Sequence, residues 1–443
     1  MNAQEYYRAI LPSLRESFDR SDRVTGYGRE LIQLMGFGPY DLPVTVQAVD
    51  QLEKLTAEWG LEVFLPVMGR DAILFPFDFE ISLRNENHFL YAGPMGQAHF
   101  LTKYIFPVAR YLERFFIERK IPFMIDYTPS GGHLLLYVLR GSEAWREAAA
   151  VGWLEEDLKT AYAWTDPDGG DMKRLKPTTE EEGRVFSGLG RLAEYLGLKI
   201  VRDAASFIEY GGPDDLEVHL CDAEDRAVNI DISWTSDPLY YRIMRAPAAL
   251  HKKNMNYYHL TVYGPMADTK ALYYDGITER RASDDPHEIL AAQWNLERAA
   301  EFNRRIPGHV PYADATLAAL LREYAASPLC AVHRRTDATP DLPRGEARRR
   351  ALGDAKLHEK THSTLRHPNP RMLQPEALKK MVGNFLECGW ESRAIANVIR
   401  DCYIDPIFGW TVNWLKCPAE TRANMWTRIY ADVYRLEKGE RLV

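Results

Sequence analysis

Ala72-Ile73-Leu74-Phe75-Pro76-Phe77-Asp78-Phe79-Glu80-Ile81-Ser82-Leu83 is a short apolar run broken only by two acids placed two residues apart. That pattern predicts a buried strand. Side chains alternate along a strand, so Asp78 and Glu80 project on one face together with Ser82, while Phe77, Phe79 and Ile81 point the other way. An acid-x-acid pair on its own is common on solvated strands, but here the flanking residues are apolar enough to bury it. Two like charges side by side in such a place are costly unless a cation neutralises them. Asp231 closes a comparable run, Val228-Asn229-Ile230, and could complete a set of three carboxylates. Two carboxylates about 7 Å apart at their Cα atoms can converge on a pair of cations about 4 Å apart, an arrangement used for in-line displacement at phosphorus. Oxygen ligands of this kind suit Mg2+ or Mn2+.

Outward from that strand, the first seventy residues read mainly as helices, including one over Val44–Leu55, ahead of a strand at Glu62–Val67. A long amphipathic helix is expected over Gly96–Lys120, then a hairpin of Phe123–Asp126 and Leu134–Leu139 around a glycine turn. Thr179–Tyr195 fits a helix stopped by Gly197, followed by strands at Leu198–Val201, Leu216–Leu220 and Val228–Ser233. Helices fit Pro286–Arg305 and Ala313–Ala326, and three more fit Pro375–Leu386, Glu391–Cys402 and Thr421–Leu436. The expected class is α+β, with mixed or antiparallel sheets flanked by helices in a core over residues 1–280. A helical connector and basic linker follow over 281–370, and a small all-α domain over 371–443.

The chain has 443 residues, enough for two or three domains, and a formal charge of -8 that gives no global sign of nucleic-acid binding. Locally the balance differs. Ala331–Arg371 holds ten Lys and Arg against five Asp and Glu, with four histidines among them. It reads either as a solvated linker or as a basic arm tracking a nucleic-acid strand. No apolar stretch approaches the roughly 20 residues of a membrane span, and no leader pattern opens the chain, so the expected location is the cytoplasm.

Two further stretches carry chemistry. Ser130-Gly131-Gly132-His133 lies between strand-like runs, where paired glycines permit positive φ and bring backbone amides close to an anion, while serine and histidine donate hydrogen bonds. Arg245-Ala-Pro247-Ala-Ala249-Leu250-His251-Lys252-Lys253 gathers cations without a nearby acid in sequence and so calls for an anionic partner or open water. Taken with Asp231-Ile-Ser-Trp-Thr-Ser-Asp237, these segments resemble, in order and spacing, the three signature motifs of the archaeo-eukaryotic primase superfamily. That family comprises the DNA primase small subunit and its primase-polymerase relatives.

The resemblance spans residues 60–265. It implies metal binding and catalysis by Asp78, Glu80 and Asp231, and triphosphate contacts by Ser130, His133, Arg245, His251 and Lys253. It implies nucleotidyl transfer that makes or extends primers on a single-stranded DNA template from nucleoside triphosphates, with a helicase or other replication proteins as partners. Ala249 stands where the family usually has serine, and Asn254-Met255 where Thr-Gly commonly follows the lysine. A repair or gap-filling polymerase on the same core, and a catalytically inactive nucleic-acid-binding replication initiator, are the competing readings.

Cys330, Cys388, Cys402 and Cys417 all fall in or just before the helical tail, whereas Cys221 stands alone in the core. In outline, though not in spacing, the tail is similar to the primase large-subunit domain that holds a 4Fe-4S cluster. Four thiolates could carry such a cluster or a structural zinc; four cysteines packed as small hydrophobes fit equally. Gly188-Leu-Gly190-Arg-Leu-Ala193 imitates a dinucleotide fingerprint but follows no strand, and neither a phosphate-binding P-loop nor a Gly-x-Ser-x-Gly elbow is present.

Overall fold

Burial of one aromatic face decides where the central strand sits. Phe75, Phe77 and Phe79 are fully buried within β4 (Ala72–Ser82), which packs in the middle of a seven-stranded sheet. The computed structural model describes residues 1–28, 44–82, 93–163, 177–221, 227–251, 266–404 and 418–443. The strands of this sheet in chain order are β4, β5 (Phe123–Tyr127), β6 (Gly131–Leu139), β7 (Val218–Leu220), β8 (Ala227–Asp231), β12 (Thr269–Tyr274) and β13 (Glu279–Arg281). Their spatial order is β13-β12-β5-β6-β4-β8-β7, antiparallel at every step except β8-β7. A second, antiparallel sheet runs β2 (Val44–Ala48), β1 (Arg23–Tyr27), β3 (Glu62–Pro66), β9 (Ile243–Arg245), and a small pair joins β10 (Leu250–His251) to β11 (Met266–Ala267).

The α+β class is thus observed, with mixed sheets, helical layers and a helical C-terminal region. The strand at Ala72, the Phe123 hairpin, the helix across Gly93–Glu118 and the three C-terminal helices form close to where the pattern places them, the long one with a π-turn at Leu101–Ile105. Val44–Leu55 does not form the expected helix. Its β-branched start, Val44-Thr45-Val46, pairs with Tyr27, Gly26 and Thr25 of β1, and only the residues after it turn helical.

Gly197 also fails to stop its helix. Capped by Thr179 and Glu182, the helix runs from Glu180 to Asp203, so no strand forms at Leu198–Val201. A Cβ at Gly197 would stand 2.6 Å from Leu220 Cδ1, so this glycine permits close helix-to-sheet packing. Gly188, inside the rejected dinucleotide look-alike, serves the same end against the helix Glu143–Val151.

The basic tract is folded instead of forming a linker. Helices Pro328–Ala338, Glu346–Leu352 and Glu359–Arg366 bury Leu329, Val332, Ala347, Ala351 and Leu365 and leave Arg334, Arg335, Arg349 and Arg350 exposed. These helices pack on the helices that follow. Ion pairs that tie the helical region to the core include Arg191 to Asp337 at 2.7 Å, Arg393 to Glu155 at 2.8 Å, and Arg428 to Glu194 at 2.8 Å. Trp390 donates to Asp354 and Trp426 stacks on Tyr430, so both act in packing. Among the described residues no helix is long and apolar enough to cross a membrane.

A methyl group at position 188 would lie 2.0 Å from the carbonyl oxygen of Ala148. Gly188→Ala is expected to destabilise the protein by about 1–3 kcal/mol through overpacking. The check is a lower urea midpoint at unchanged m-value.

Candidate functional site

One transverse row of the large sheet gathers the chemistry. Asp78 on β4 lies opposite Asp231 on β8 and opposite His133 on β6; His133 in turn lies opposite Asp126 on β5, and Asp126 opposite Lys270 on β12. Directly opposed residues of antiparallel strands share a face. Glu80 sits one pleat further along the same face, opposite Gly131 and Asn229. Asp78 and Glu80 of one strand therefore share a face with Asp231 and Asp126, each from a distant part of the sequence, and with His133.

His133 is held from both sides. Its Nδ1 is 3.2 Å from Asp126 Oδ1 and its Nε2 is 4.0 Å from Asp78 Oδ1. Burial alone would lower the imidazole pKa, but Asp126, through charge and hydrogen bond, and then Asp78 raise it to about 9. For Asp78, whose side chain is 23% exposed, burial is the largest influence; Asp231 adds to it, His133 and Arg245 oppose it, and the carboxyl is pushed up to about 6. Asp231 Oδ1 accepts from the Ser233 amide at 2.7 Å, which fixes that carboxylate at the strand end.

Behind the row lies a group that sequence reading did not foresee. Asp126, His133 and Asp268 bring ligand atoms within 4.8 Å of one another, all buried. Asp126 Oδ2 and Asp268 Oδ1 are buried oxygens with no hydrogen-bond partner among the described residues. Burial foremost, reinforced by Asp126 and opposed by Arg245, raises the Asp268 carboxyl to about 8. Asp126 carried the same signal as Asp231, an acid closing an apolar strand. Asp268, just outside β12, carried none.

Arg245 does not stand without an acid, as its sequence neighbourhood suggested. From β9 its Nε donates to Glu62 Oε1 at 2.5 Å and its Nη1 reaches Asp268 Oδ2 at 3.5 Å, so the second sheet supplies its counter-charge. This ion pair docks the two sheets at the buried cluster. His251 is buried on β10, while Lys253 lies outside the described residues.

The glycines of the second stretch also act differently from expectation. Gly131 and Gly132 are the first residues of β6, not a turn, and neither has positive φ. A Cβ on Gly131 would lie 2.1 Å from the Phe79 carbonyl oxygen, and one on Gly132 2.8 Å from the Phe79 ring. Their role is close approach of β6 to the acid-bearing strand. Ser130 just precedes them, its carbonyl accepting from the Ile81 amide at 2.9 Å.

Asp237 belongs to a different device. Its carboxylate is 2.8 Å from Arg242 Nε and accepts from Arg422 of the C-terminal helix Ala419–Glu437. As for the cysteines, Cys330 lies on the helix Pro328–Ala338, Cys388 caps Pro375–Glu387, and Cys402 lies on Ser392–Tyr403. Cys417 lies outside the described residues. Among the described residues no close group of potential metal ligands includes a cysteine. Burial pushes the Cys402 thiol up to about 12, which disfavours its thiolate.

Comparison with known protein families, with curated proteins and with solved structures finds no match for this chain.

Two outcomes follow from these geometries. A carboxyl whose folded pKa exceeds its unfolded value binds extra protons when folded, so its contribution to stability falls as pH rises between the two values. For Asp268 that window runs from about 4 to about 8. In metal-free buffer, the stability of the wild type relative to Asp268→Asn should therefore decline with rising pH, by at most about 1.4 kcal/mol per pH unit. Urea titrations at about pH 5 and about pH 7.5 measure it, and a constant difference would contradict the assignment. Separately, Asp237→Ala removes the carboxylate shared by the buried Arg422 and the part-exposed Arg242 and should cost about 3–5 kcal/mol of folding stability.

Proposed function

We propose that this chain is a template-directed nucleotidyltransferase of the primase or primase-polymerase kind. The observation that carries the reading is the pairing of Asp78 with Asp231 across adjacent central strands, with Glu80 on the same face and His133 alongside. Opposed carboxylates destabilise a strand pair unless a cation joins them. The donor set of Asp78, Glu80 and Asp231 is all oxygen, the buried oxygens Asp126 Oδ2 and Asp268 Oδ1 beside it lack hydrogen-bond partners among the described residues, and Mg2+ or Mn2+ fits these residues.

Asp78, Glu80 and Asp231 would hold the ions. When bound, such a pair supplies an acidified attacking hydroxyl and charge stabilisation on the departing pyrophosphate. The chain's own part is positioning. His133, kept protonated by Asp126, presents Nε2–H on the acid-bearing face, where it can donate to a phosphate oxygen. Arg245 contributes a buried positive charge within range of Asp78 while remaining bound to Glu62 and Asp268. The strands are hydrogen-bonded along their length, so these groups need little reorganisation as charge develops.

Asp78→Asn should abolish metal-dependent incorporation of labelled nucleotide on a single-stranded template. The loss should exceed the 10–100-fold typical of outer-shell partners, hence at least about 10²-fold. Circular dichroism and the urea midpoint should stay near wild type. Retained incorporation would refute the reading. Primed against unprimed template separates a primase from a gap-filling polymerase.

A further inference from the structure

Away from the acid row, a cleft of about 520 Å3 opens between the first helix, Ala3–Ser17, and the 304–309 segment. Its lining includes Arg280, Arg304, Arg305 and His309 against a single acid, Glu16. In a chain of net charge -8 this local excess of cations is unusual. Arg280 and Arg304 have no carboxylate within 4.0 Å among the described residues. Arg305 is bridged to Glu288 at 2.6 Å, and Glu16 is engaged by the Gly308 amide at 2.9 Å. Asp275, which lies within electrostatic range of Arg280, accepts from the amides of Ile277 and Thr278. Asp19 lies within electrostatic range of His309.

The cleft is built, not a chance depression. Lys270, buried under its wall, donates to Ser13 Oγ at 2.6 Å and to the carbonyls of Ile306 and Pro307 at 2.9 and 3.1 Å. Ser17 Oγ donates to the Gly308 carbonyl at 2.7 Å, and a Cβ on Gly308 would collide with the Ser13 carbonyl at 2.1 Å. His309 Nε2 sits 2.6 Å from the Tyr273 hydroxyl. The segment carrying the cations is thus fixed before any ligand arrives.

Lys270 is the register partner of Asp126, which is two strands from Asp78 through β6. At about 4.8 Å per strand Lys270 stands about 14 Å across the sheet from Asp78, the face between them being buried at Asp126 and His133. We propose that this cleft binds the phosphodiester backbone of a single nucleic-acid strand at the protein surface. The choice of a strand as ligand rests on the polymerase reading; the phosphate-binding character rests on the lining alone. Exposed guanidinium groups without acids pair readily with phosphate oxygens, and each contact releases counterions.

The test is binding of a fluorescent oligothymidylate to the full-length chain in EDTA, across a salt series, so that no metal-dependent chemistry contributes. The wild type should bind, and the double variant Arg280→Gln/Arg304→Gln should reduce the slope of log K against log salt by about 1.4, from two contacts of about 0.7 each. A control pair, Arg334→Gln/Arg349→Gln, exposed on the helical tract, should leave the slope unchanged. Three results would overturn the proposal: no oligonucleotide binding by the wild type, a slope carried by the control pair instead, or a double variant that loses ATP binding while its strand slope is unaltered. Strand binding without nucleotide incorporation would sink the polymerase reading and spare the cleft; incorporation with an unchanged slope would do the reverse.

Discussion

Asp78 faces Asp231 across a hydrogen-bonded strand pair deep in the sheet, and much of the surrounding architecture can be understood as tolerating that repulsion. Burial raises the price of a charge, and a like charge directly opposite raises it again. The opposing influences come from two different layers: His133 from the neighbouring strand and Arg245 from the second sheet. Arg245 needs its own carboxylates, Glu62 and Asp268, and Asp268 in turn leans on the cluster with Asp126. The result is a connected set of acids and cations from one sheet to the other, with Asp78 and Asp231 at its more exposed end.

The strand carrying that pair is positioned by its other face. Phe77 and Phe79 are buried without residual exposure, and β6 can approach Phe79 only because two glycines stand there. Polar demands on one side and apolar packing on the other therefore fix a single register. A one-residue slip would put the acids into the aromatic layer.

Much of this was legible in the residues. Alternation along Ala72–Ser82 placed Asp78 and Glu80 together and rests on a period of two, which is local, whereas Asp231 was only a candidate third acid, joined to them by the resemblance of the motifs. What depended on distant packing was not legible. The roles of Gly131, Gly132, Gly188 and Gly197 are set by atoms of other elements, so a turn or a helix stop was expected where close contact was needed. The counter-charges of Arg245 lie 183 and 23 residues away, beyond any local pattern. The basic tract looked like a linker because its charges dominate composition, whereas a few apolar residues at helical spacing suffice to fold it.

Asp237 grips Arg422, so the loop leaving β8 is fastened by a residue 185 positions further along the chain. While the polypeptide is still being synthesised, everything up to β12 can emerge without that clasp. Asp237 must then wait, hydrated or paired with Arg242, until the helix Ala419–Glu437 is released. The sheet that holds the acid row is in this sense fastened by a much later segment, and a nascent chain carrying every acid of the row would still lack that clasp.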